Sequence, residues 1–512
     1  MQQGVLLVRE LGFDNAKYLE EQTSEILKRV GSFNGKLYLE FGGKLLYDYH
    51  AARVLPGYDP NVKMRLLHKL RDQAEIILCI HAGDIERRKI RADFGITYDM
   101  DVLKILDELK SWDLNVAGVV ITRYKGQPAA ALFKNRLERR NIKAYTHNYI
   151  QGYPYDINAI VSDRGFGSNE YITTHKPLVI VTGPGPGSGK LSTCLSQMYH
   201  DYRAGVKSGY AKFETFPIWS IPLKHPVNVA YEAATADIRD FNIIDPFHLE
   251  AHGQTTVNYN RDVEIFPVLK RILERVSGSD LVYHSPTDMG VNRAGFGIVD
   301  DELVREAAKQ EIIRRYFWYK CEYAKGFADK ETYQRTEILM EDFNLSPEDR
   351  RVVVPAREVF KVKTAAAPNH DIVCGAAIEL KTGDIVTGKS SGLMNAASSL
   401  ILNAIKVISG IPDSIHLLSP NIIESIKTLK KTNLREKNTS LNLEETLIAL
   451  SISATTNPTA QLAMANLKEL NGCEIHSSHI LPHTDELVLK KLGVNLTCDP
   501  EFPSESLFEI LK

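Results

Sequence analysis

Residues 35 to 205 alternate between short β-rich runs and stretches with helical periodicity, and this alternation constrains the fold more than any other feature. The predicted strands are KLYLEFGG (36–43), AEIILCIHAGD (74–84), NVAGVVITRY (115–124), IKAYTHNYI (142–150), NAIVSD (158–163) and PLVIVTG (177–183). Helix-like segments separate several of them: NVKMRLLHKLRDQ (61–73), MDVLKILDELKSW (100–112) and AALFKNRLERR (130–140). Strands that alternate with amphipathic helices predict an α/β domain with a mostly parallel sheet and helices on its faces.

The rest of the chain changes character twice. Residues 206–355 begin with stretches rich in Pro, His and aromatic residues and continue into a long helical pattern over 300–327. After 352–370, two β-rich runs flank the turn KTGD (381–384), a hairpin signal, and helices follow. A chain of 512 residues suggests about three domains. We expect an α/β domain over 1–205, a mixed, partly helical module over 206–355 and a C-terminal α/β domain over 356–512.

Charge and cysteine usage narrow the class of protein. The 62 Lys and Arg residues nearly balance the 64 Asp and Glu residues, so no net field recruits nucleic acid or membrane lipid. The six cysteines form no CxxC pair, which is typical of a reducing compartment and not of a disulfide framework. The start of the chain has no basic region of a signal peptide, and no stretch approaches the ~18 apolar residues of a membrane span. We expect a cytoplasmic protein with neither nucleic acid nor membrane as partner, and self-association into a homo-oligomer stays open.

The segment PLVIVTGPGPGSGKLSTCLSQMYHDYRAG (177–205) has the pattern of a strand, a phosphate-binding loop and a helix. A nucleotide P-loop reads G-x-x-x-x-G-K-[ST], with backbone N–H groups and Lys on the phosphates and the last hydroxyl on Mg²⁺. Gly189 and Lys190 fit, but Leu191 replaces the hydroxyl residue, and Gly183 lies one residue early. The predicted ligand-binding residues are Gly183, Gly185, Gly187, Ser188, Gly189, Lys190, Ser192 and Thr193. The alternative interpretation is a glycine-rich turn with an exposed lysine.

Arginines that follow two other predicted strands could assist at the same edge of the sheet, because ligands bind beyond the carboxyl ends of parallel strands. The segment IERRKIR (85–91) follows one strand and Arg123 follows another. Guanidinium groups match phosphate geometry, so Lys190, Arg88 and Arg123 are the predicted catalytic residues. A solvated helix face is the alternative for IERRKIR. Asp163 and Gly167, after the run NAIVS, are further candidates at this edge.

The sequence patterns for a magnesium-binding acid or a metal site are less specific than the pattern of the phosphate-binding loop. A magnesium-binding acid normally ends an apolar strand, and the best matches are Asp245 in FNIID and Glu232 in NVAYEA. His476 and His479 would face opposite sides of a strand. No metal-ligand set is therefore predicted.

Three stretches carry a resemblance to a known family: TGPGPGSGKLSTCLSQMYHD, YEAATADIRDFN (231–242) and GAAIELKTGDIVTGKSSGLMNAASSLILNAIK (375–406). Together they resemble a bacterial family of uncharacterised conserved cytoplasmic proteins, a domain of unknown function. The resemblance implies a multi-domain α/β protein whose last domain is similar in topology to the cytidine-deaminase fold. The zinc signature of a deaminase, H-x-E with P-C-x-x-C, is missing from that domain, so deamination is not expected.

Three functions stay open on the sequence alone. The first is binding of a phosphorylated ligand, above all ATP or another nucleotide, with phosphoryl or nucleotidyl transfer as the reaction. The second is an enzyme that acts on a phosphorylated sugar or metabolite without NTP turnover, which Leu191 favours because it removes the usual magnesium hydroxyl. The third is a nucleotide sensor or scaffold without a reaction. Mg²⁺ dependence is left open.

Overall fold

The computed structural model describes residues 11–33, 35–91, 95–278, 283–366 and 374–504, apart from the side chains of residues 362–366. The chain divides into two compact units, Met1–Lys309 and Gln310–Lys512. Among the described helices, none has both the length and the apolar character that crossing a membrane requires.

The described helices and strands are numbered in chain order. The helices are α1 Asn15–Gly31, α2 Tyr49–Val54, α3 Val62–Lys69, α4 Ala82–Glu86, α5 Tyr98–Ser111, α6 Pro128–Glu138, α7 Ile157–Ile160, α8 Lys190–Arg203, α9 Pro226–Ala234, α10 Pro246–His252, α11 Asn260–Ser277, α12 Pro286–Met289, α13 Asp301–Ala324, α14 Lys330–Asp342, α15 Val353–Ala366, α16 Ala396–Ile408, α17 Pro420–Thr428, α18 Leu443–Ala454, α19 Pro458–Ala465 and α20 His483–Lys491. The strands are β1 Lys36–Phe41, β2 Ala74–His81, β3 Ile90–Arg91, β4 Ile96–Thr97, β5 Val116–Tyr124, β6 Ala144–Asn148, β7 Leu178–Thr182, β8 Ser208–Phe213, β9 Asn242–Ile244, β10 Val257–Tyr259, β11 Gly290–Val291, β12 Gly375–Glu379, β13 Ile385–Lys389, β14 Glu474–Ser477 and β15 Asn495–Cys498.

A seven-stranded sheet organises the first unit, in the order β11-β8-β1-β7-β2-β5-β6. Every neighbouring pair is parallel. All five residues of β7 are buried, because helices cover both faces of a parallel sheet and its central strands are therefore continuously apolar. The expected α/β domain with a parallel sheet is confirmed. The sheet also continues past residue 205, since β8 and β11 extend it beyond β1.

One predicted strand is wrong. The first half of the run NAIVSD belongs to the short helix α7, because the Asp156 side chain accepts a hydrogen bond from the Ala159 backbone N–H, 3.0 Å away, and caps the turn. The second half, residues 161–163, forms bends and a turn. Asp is a preferred residue at this position before a helix. The segment after NAIVS therefore does not follow a strand of the sheet.

Chain connections leave the sheet centre in opposite directions. From β1 the chain proceeds to β2, on the far side of β7, whereas from β7 it passes through α8 to β8, on the far side of β1. Such a reversal opens a crevice at the carboxyl ends of the two strands, which is where open parallel sheets bind their ligands. The loop at 183–189 follows β7 and therefore lies at this crevice.

The second unit contains a four-stranded mixed sheet in the order β13-β12-β14-β15. The hairpin predicted at KTGD (381–384) is confirmed, because β12 and β13 pair antiparallel with Glu379 opposite Ile385. The predicted capping box is also present, with Asn442 and Glu445 exchanging side-chain and backbone hydrogen bonds at the start of α18. Helices α16, α18 and α19 contribute to the apolar core of this unit, so the C-terminal α/β assignment is confirmed.

Candidate functional site

The loop between β7 and α8 has the predicted strand–loop–helix form. The buried strand ends at Thr182, and α8 begins at Lys190. Gly187 and Gly189 have φ angles of 74° and 89°, in the left-handed region that side-chain-bearing residues rarely adopt. The glycines therefore permit the turn that aims the first N–H groups of α8 at the loop interior. The first N–H groups of a helix have no hydrogen-bond partner within that helix, and the positive end of the helix dipole lies at them.

Neighbouring strands hold the loop in place. The Thr122 hydroxyl on β5 donates to the Ser188 carbonyl oxygen over 2.8 Å, with the Ile80 carbonyl 3.3 Å away. At the other end of the loop, a Cβ on Gly183 would lie 2.4 Å from the Cys79 carbonyl oxygen of β2. The backbone of the loop thus packs directly on the sheet, at a position that only glycine fits.

Two polar side chains of the loop lack a strong protein partner. The Lys190 ammonium group points back across the loop and makes a long hydrogen bond, 3.4 Å, to the Gly185 carbonyl oxygen. The Ser188 hydroxyl is buried, with 1% of the residue exposed, and has no hydrogen-bond partner among the described residues. A buried hydroxyl without a partner costs about 1–3 kcal/mol. A ligand oxygen in the loop would supply one.

The residues after Lys190 differ from those of a magnesium-dependent P-loop. Leu191 packs against the core of the sheet. Thr193 is fully buried, and its hydroxyl accepts a hydrogen bond from the Cys79 thiol, 3.4 Å away. Ser192 remains half-buried. The two hydroxyl residues therefore have different accessibility, and only Ser192 keeps partial contact with solvent.

The two predicted arginines are placed differently. Arg123 is the residue before the last of β5 and has a φ of 50°. Its charge acts on two titratable groups, Tyr153 and His81. Burial raises the pKa of Tyr153 to about 12, and Arg123 opposes that shift. Burial lowers the pKa of His81, and Arg123 adds to that shift. Arg88 is exposed after α4, and no contact among the described residues joins it to the loop.

Lys89 approaches the loop more closely than its neighbour Arg88. Its ammonium group lies 4.8 Å from the centroid of the Tyr98 ring. The Tyr98 hydroxyl would lie 2.7 Å from a Cβ on Gly185, so the ring packs against the loop itself. A cation held over a ring beside the loop adds positive charge there. The sequence pattern pointed to the segment IERRKIR (85–91), and Arg88 was the residue selected from it. Periodicity does not show which residue of a basic run points toward the loop.

Glu40 is an acidic residue at the crevice that the sequence interpretation missed. It lies on β1 in register with Val181, two residues before Gly183, and accepts a hydrogen bond from the Tyr210 hydroxyl at 2.8 Å. Burial raises the pKa of the Cys79 thiol to about 12, and the charges of Lys190 and Glu40 then act on it in opposite directions. Glu40 and Lys190 are thus within electrostatic range of the same thiol. The sequence did contain one signal for Glu40: it is an acid near the end of an apolar run, and two glycines follow that run.

The two acids selected from the sequence have structural roles instead. Asp245 is fully buried; it caps α10 by accepting from the Phe247 and His248 N–H groups and also accepts from the Thr287 hydroxyl at 2.6 Å. Glu232 accepts from the Asn242 backbone N–H at 3.3 Å. Asp245 follows β9, which within the described part of the chain pairs only with β10 and not with the seven-stranded sheet. The short run FNIID therefore does not lead to the crevice.

Beside Glu40 of β1, the neighbouring strand β8 carries Lys212, which is part of a buried charge cluster. Lys212, in register with Glu40, forms a 2.6 Å ion pair with Glu214 and a second, closer one with Asp262 of α11. One ammonium group thus serves two carboxylates. Burial raises the pKa of Glu214 to about 8, and Lys212 only partly offsets this.

Asp163 does not join the crevice. Its carboxylate accepts from the Tyr199 hydroxyl at 2.9 Å and pairs with Arg203, both on the C-terminal half of α8. This placement follows from the helix and turn that residues 158–163 form in place of a strand. The structure therefore brings Lys190, Arg123, Lys89 and Glu40 toward one edge of the sheet, and leaves Asp163 away from it.

Comparison with known proteins gives one consistent result. The family model described as domain of unknown function DUF1846, N-terminal, matches residues 11–344, and its C-terminal counterpart matches residues 348–508. The chain is similar to a UPF0371 protein of Clostridium botulinum (strain Alaska E43 / Type E3), at 58% identity over 499 residues, covering 98% of this chain and 99% of the relative. A UPF0371 protein of the Kyoto / Type A2 strain is 59% identical over 499 residues, covering 97% and 99%.

Proposed function

The chain belongs to the bacterial DUF1846 family, and we propose that it binds the phosphate groups of a nucleotide at the loop formed by residues 183–193. The observation that carries this proposal is the unsatisfied loop interior. It combines the free N–H groups at the start of α8, the unpartnered Ser188 hydroxyl and the weakly bonded Lys190 ammonium group. These are the groups that bind phosphate oxygens at helix N-termini.

The surrounding charges favour phosphoryl or nucleotidyl transfer as the reaction. Lys190 and Arg123 would stabilise the charge of the transferred group, and Lys89 would add to the positive potential near Gly185. Glu40, on the strand beside β7, occupies the kind of position from which an acid positions a metal ion or a nucleophile. Catalysis of phosphoryl transfer consists mainly of such positioning and charge stabilisation.

A second candidate function is supported by Leu191 and Thr193. Because Leu191 is packed on the core and the Thr193 hydroxyl is buried, the loop offers no typical hydroxyl ligand for Mg²⁺. An enzyme that acts on a phosphorylated sugar or metabolite needs the same anion site without a nucleotide-bound metal. The two candidates differ in whether ATP or GTP binds more tightly than a sugar phosphate.

Calorimetric titration of the full chain with ATP, GTP and glucose 6-phosphate, each with and without Mg²⁺, tests the proposal. At least one ligand should bind, and Lys190→Ala should weaken it by about 10- to 150-fold, the value of a charged hydrogen bond of about 1.5–3 kcal/mol. Lys207→Ala is the matched control, because Lys207 is an exposed lysine at the amino end of β8 in the same sheet. Unchanged affinity in Lys190→Ala, or no binding by the wild type, would refute the proposal.

A further inference from the structure

A second cluster of ligand-type side chains lies close to β11, the edge strand of the same sheet. His248 and His252 are four residues apart on α10, and Asp288 belongs to α12. One donor atom from each lies within 4.8 Å of the other two. Asp288 lies two residues before β11, the edge strand of the sheet, whereas the 183–189 loop follows β7, which β8 and β1 separate from β11. The cluster is therefore independent of the proposed phosphate site.

The two distances between the histidines and Asp288 are close to those of a metal site. Zinc bonds to His nitrogen and Asp oxygen are about 2.0–2.2 Å, which separates neighbouring donors of a tetrahedron by about 3.3–3.6 Å. His248 Nδ1 lies 3.6 Å from Asp288 Oδ1. His252 Nε2 lies 2.9 Å from the same oxygen, so this hydrogen bond would open by about half an ångström around an ion. An ion bound at His248 Nδ1 would also replace the Ser285 hydroxyl, which lies 3.0 Å from that nitrogen.

The cluster has the supporting hydrogen bonds that orient metal ligands. The second carboxylate oxygen of Asp288 accepts from the backbone N–H groups of His284 and Ser285, at 2.8 and 3.1 Å. The helix that carries both histidines is capped by Asp245, through the N–H groups of Phe247 and His248. Such outer contacts fix ligand orientation and strengthen metal binding.

The types of ligand also suit coordination of a metal ion. The site thus offers one carboxylate and two imidazoles, a set that favours transition metals over Mg²⁺ or Ca²⁺.

We propose that His248, His252 and Asp288 bind a divalent transition-metal ion of the zinc class and leave a fourth coordination position open. His252 is 37% exposed, so this position has access to solvent. Three protein ligands with an open position are characteristic of zinc ions that polarise a bound water or substrate, whereas structural zinc ions have four protein ligands. The proposal adds a second site to the phosphate loop and does not depend on it.

Zinc titration of the full chain tests this site. Protein stripped of metal by a chelator should bind about one Zn²⁺ per chain in competition with a chelating indicator. His252→Ala, chosen because the side chain is partly exposed and its loss leaves the fold intact, should weaken binding at least about 100-fold. His416→Ala, which removes an exposed histidine of the second unit, should bind zinc like the wild type.

Two further measurements distinguish a specific zinc site from nonspecific zinc binding. Zn²⁺ should raise the melting temperature of the wild type but not of His252→Ala, since a ligand stabilises only the state that binds it. Asp288→Asn should also lose the visible absorption of bound Co²⁺. Failure of the wild type to bind zinc, or equal affinity in His252→Ala, would overturn the assignment. Neither result would bear on ligand binding at Lys190, which is measured separately.

Discussion

The Thr122 hydroxyl on β5 donates a hydrogen bond to the Ser188 carbonyl oxygen, 2.8 Å away, although β2 lies between β5 and the strand that leads into the loop. The same hydroxyl lies 3.3 Å from the Ile80 carbonyl of β2. The loop is therefore fixed by a strand two positions across the sheet. A site that such contacts hold in shape before binding takes up its ligand at lower entropic cost.

Replacing Thr122 should show how much its hydrogen bond to the loop contributes to stability and to ligand affinity. We expect Thr122→Val to lower the free energy of unfolding by about 1 kcal/mol and to weaken binding of the phosphorylated ligand. Thr146→Val on β6 removes a hydroxyl that bonds to Glu170, away from the loop, and should leave ligand affinity unchanged. Urea unfolding and calorimetry on both variants test this. Equal affinity in Thr122→Val would show that the loop keeps its shape without this bond.

Leu191 should make ligand binding less dependent on magnesium than in an ordinary P-loop enzyme. We expect the affinity of the wild type to change less than about tenfold, or ~1.4 kcal/mol, when Mg²⁺ is replaced by EDTA. Leu191→Ser should increase this dependence, because it restores a hydroxyl at the usual metal position. Nucleotide binding by the wild type that collapses in EDTA would contradict the prediction and would indicate that Ser192 or Glu40 supplies the metal site.

Gly183 and Gly187 provide a matched pair of loop substitutions. A Cβ at Gly183 would lie 2.4 Å from the Cys79 carbonyl, whereas one at Gly187 meets nothing within 4 Å and is opposed only by its positive φ. We expect Gly183→Ala to destabilise the fold by about 1–3 kcal/mol through overpacking and to displace the loop. Gly187→Ala should cost about 1–2 kcal/mol of backbone strain and retain measurable ligand affinity. Thermal unfolding and calorimetry compare them; tighter ligand binding by Gly183→Ala than by Gly187→Ala would be the contrary result.

Glu40 should be needed for reaction more than for binding. We expect Glu40→Gln to lower any phosphoryl-transfer rate by about 10²-fold or more, as for loss of an acid–base group, with ligand affinity changed much less. The control is Asp245→Asn, which should reduce stability because Asp245 is a buried cap, but leave the rate of the folded enzyme intact. A single-turnover assay compares the rates of the two variants. Equal loss of rate in Glu40→Gln and Asp245→Asn would contradict a role of Glu40 in the reaction.

The charge cluster on β8 should make stability depend on pH. The pKa of Glu214 rises from 4.5 to about 8 on folding, so the unfolded chain releases this proton first. Its contribution to stability is complete below pH 4.5 and is lost as pH rises through 8. Between pH 5 and 8 the wild type should therefore lose more stability than Glu214→Gln, by about 1–4 kcal/mol, because each tenfold difference in proton affinity is worth ~1.4 kcal/mol. Parallel urea titrations of both proteins test this; identical pH slopes would contradict it.

Local features of the fold could be predicted from the sequence, whereas contacts between distant strands could not. The loop at 183–189 was predictable because apolar β7, the glycines and Lys190 are contiguous. Glu40 was not, because its position depends on the pairing of β1 with β7, which the order of strands along the chain does not reveal. NAIVSD was assigned wrongly because a cap at Asp156 outweighed its apolar run.

The position of β7 between β1 and β2 has a consequence for biosynthesis. Among the strands that the structure describes, β1 pairs only with β7 and β8, and more than 130 residues separate its last residue, Phe41, from Leu178 at the start of β7. At a synthesis rate of about 5–20 residues per second, β1 waits roughly 7 to 27 seconds on the ribosome before a partner strand exists. During that interval its backbone hydrogen-bonding groups are open to other chains. The strand that begins the sheet therefore stays unpaired until translation has passed the strand that leads into the glycine-rich loop.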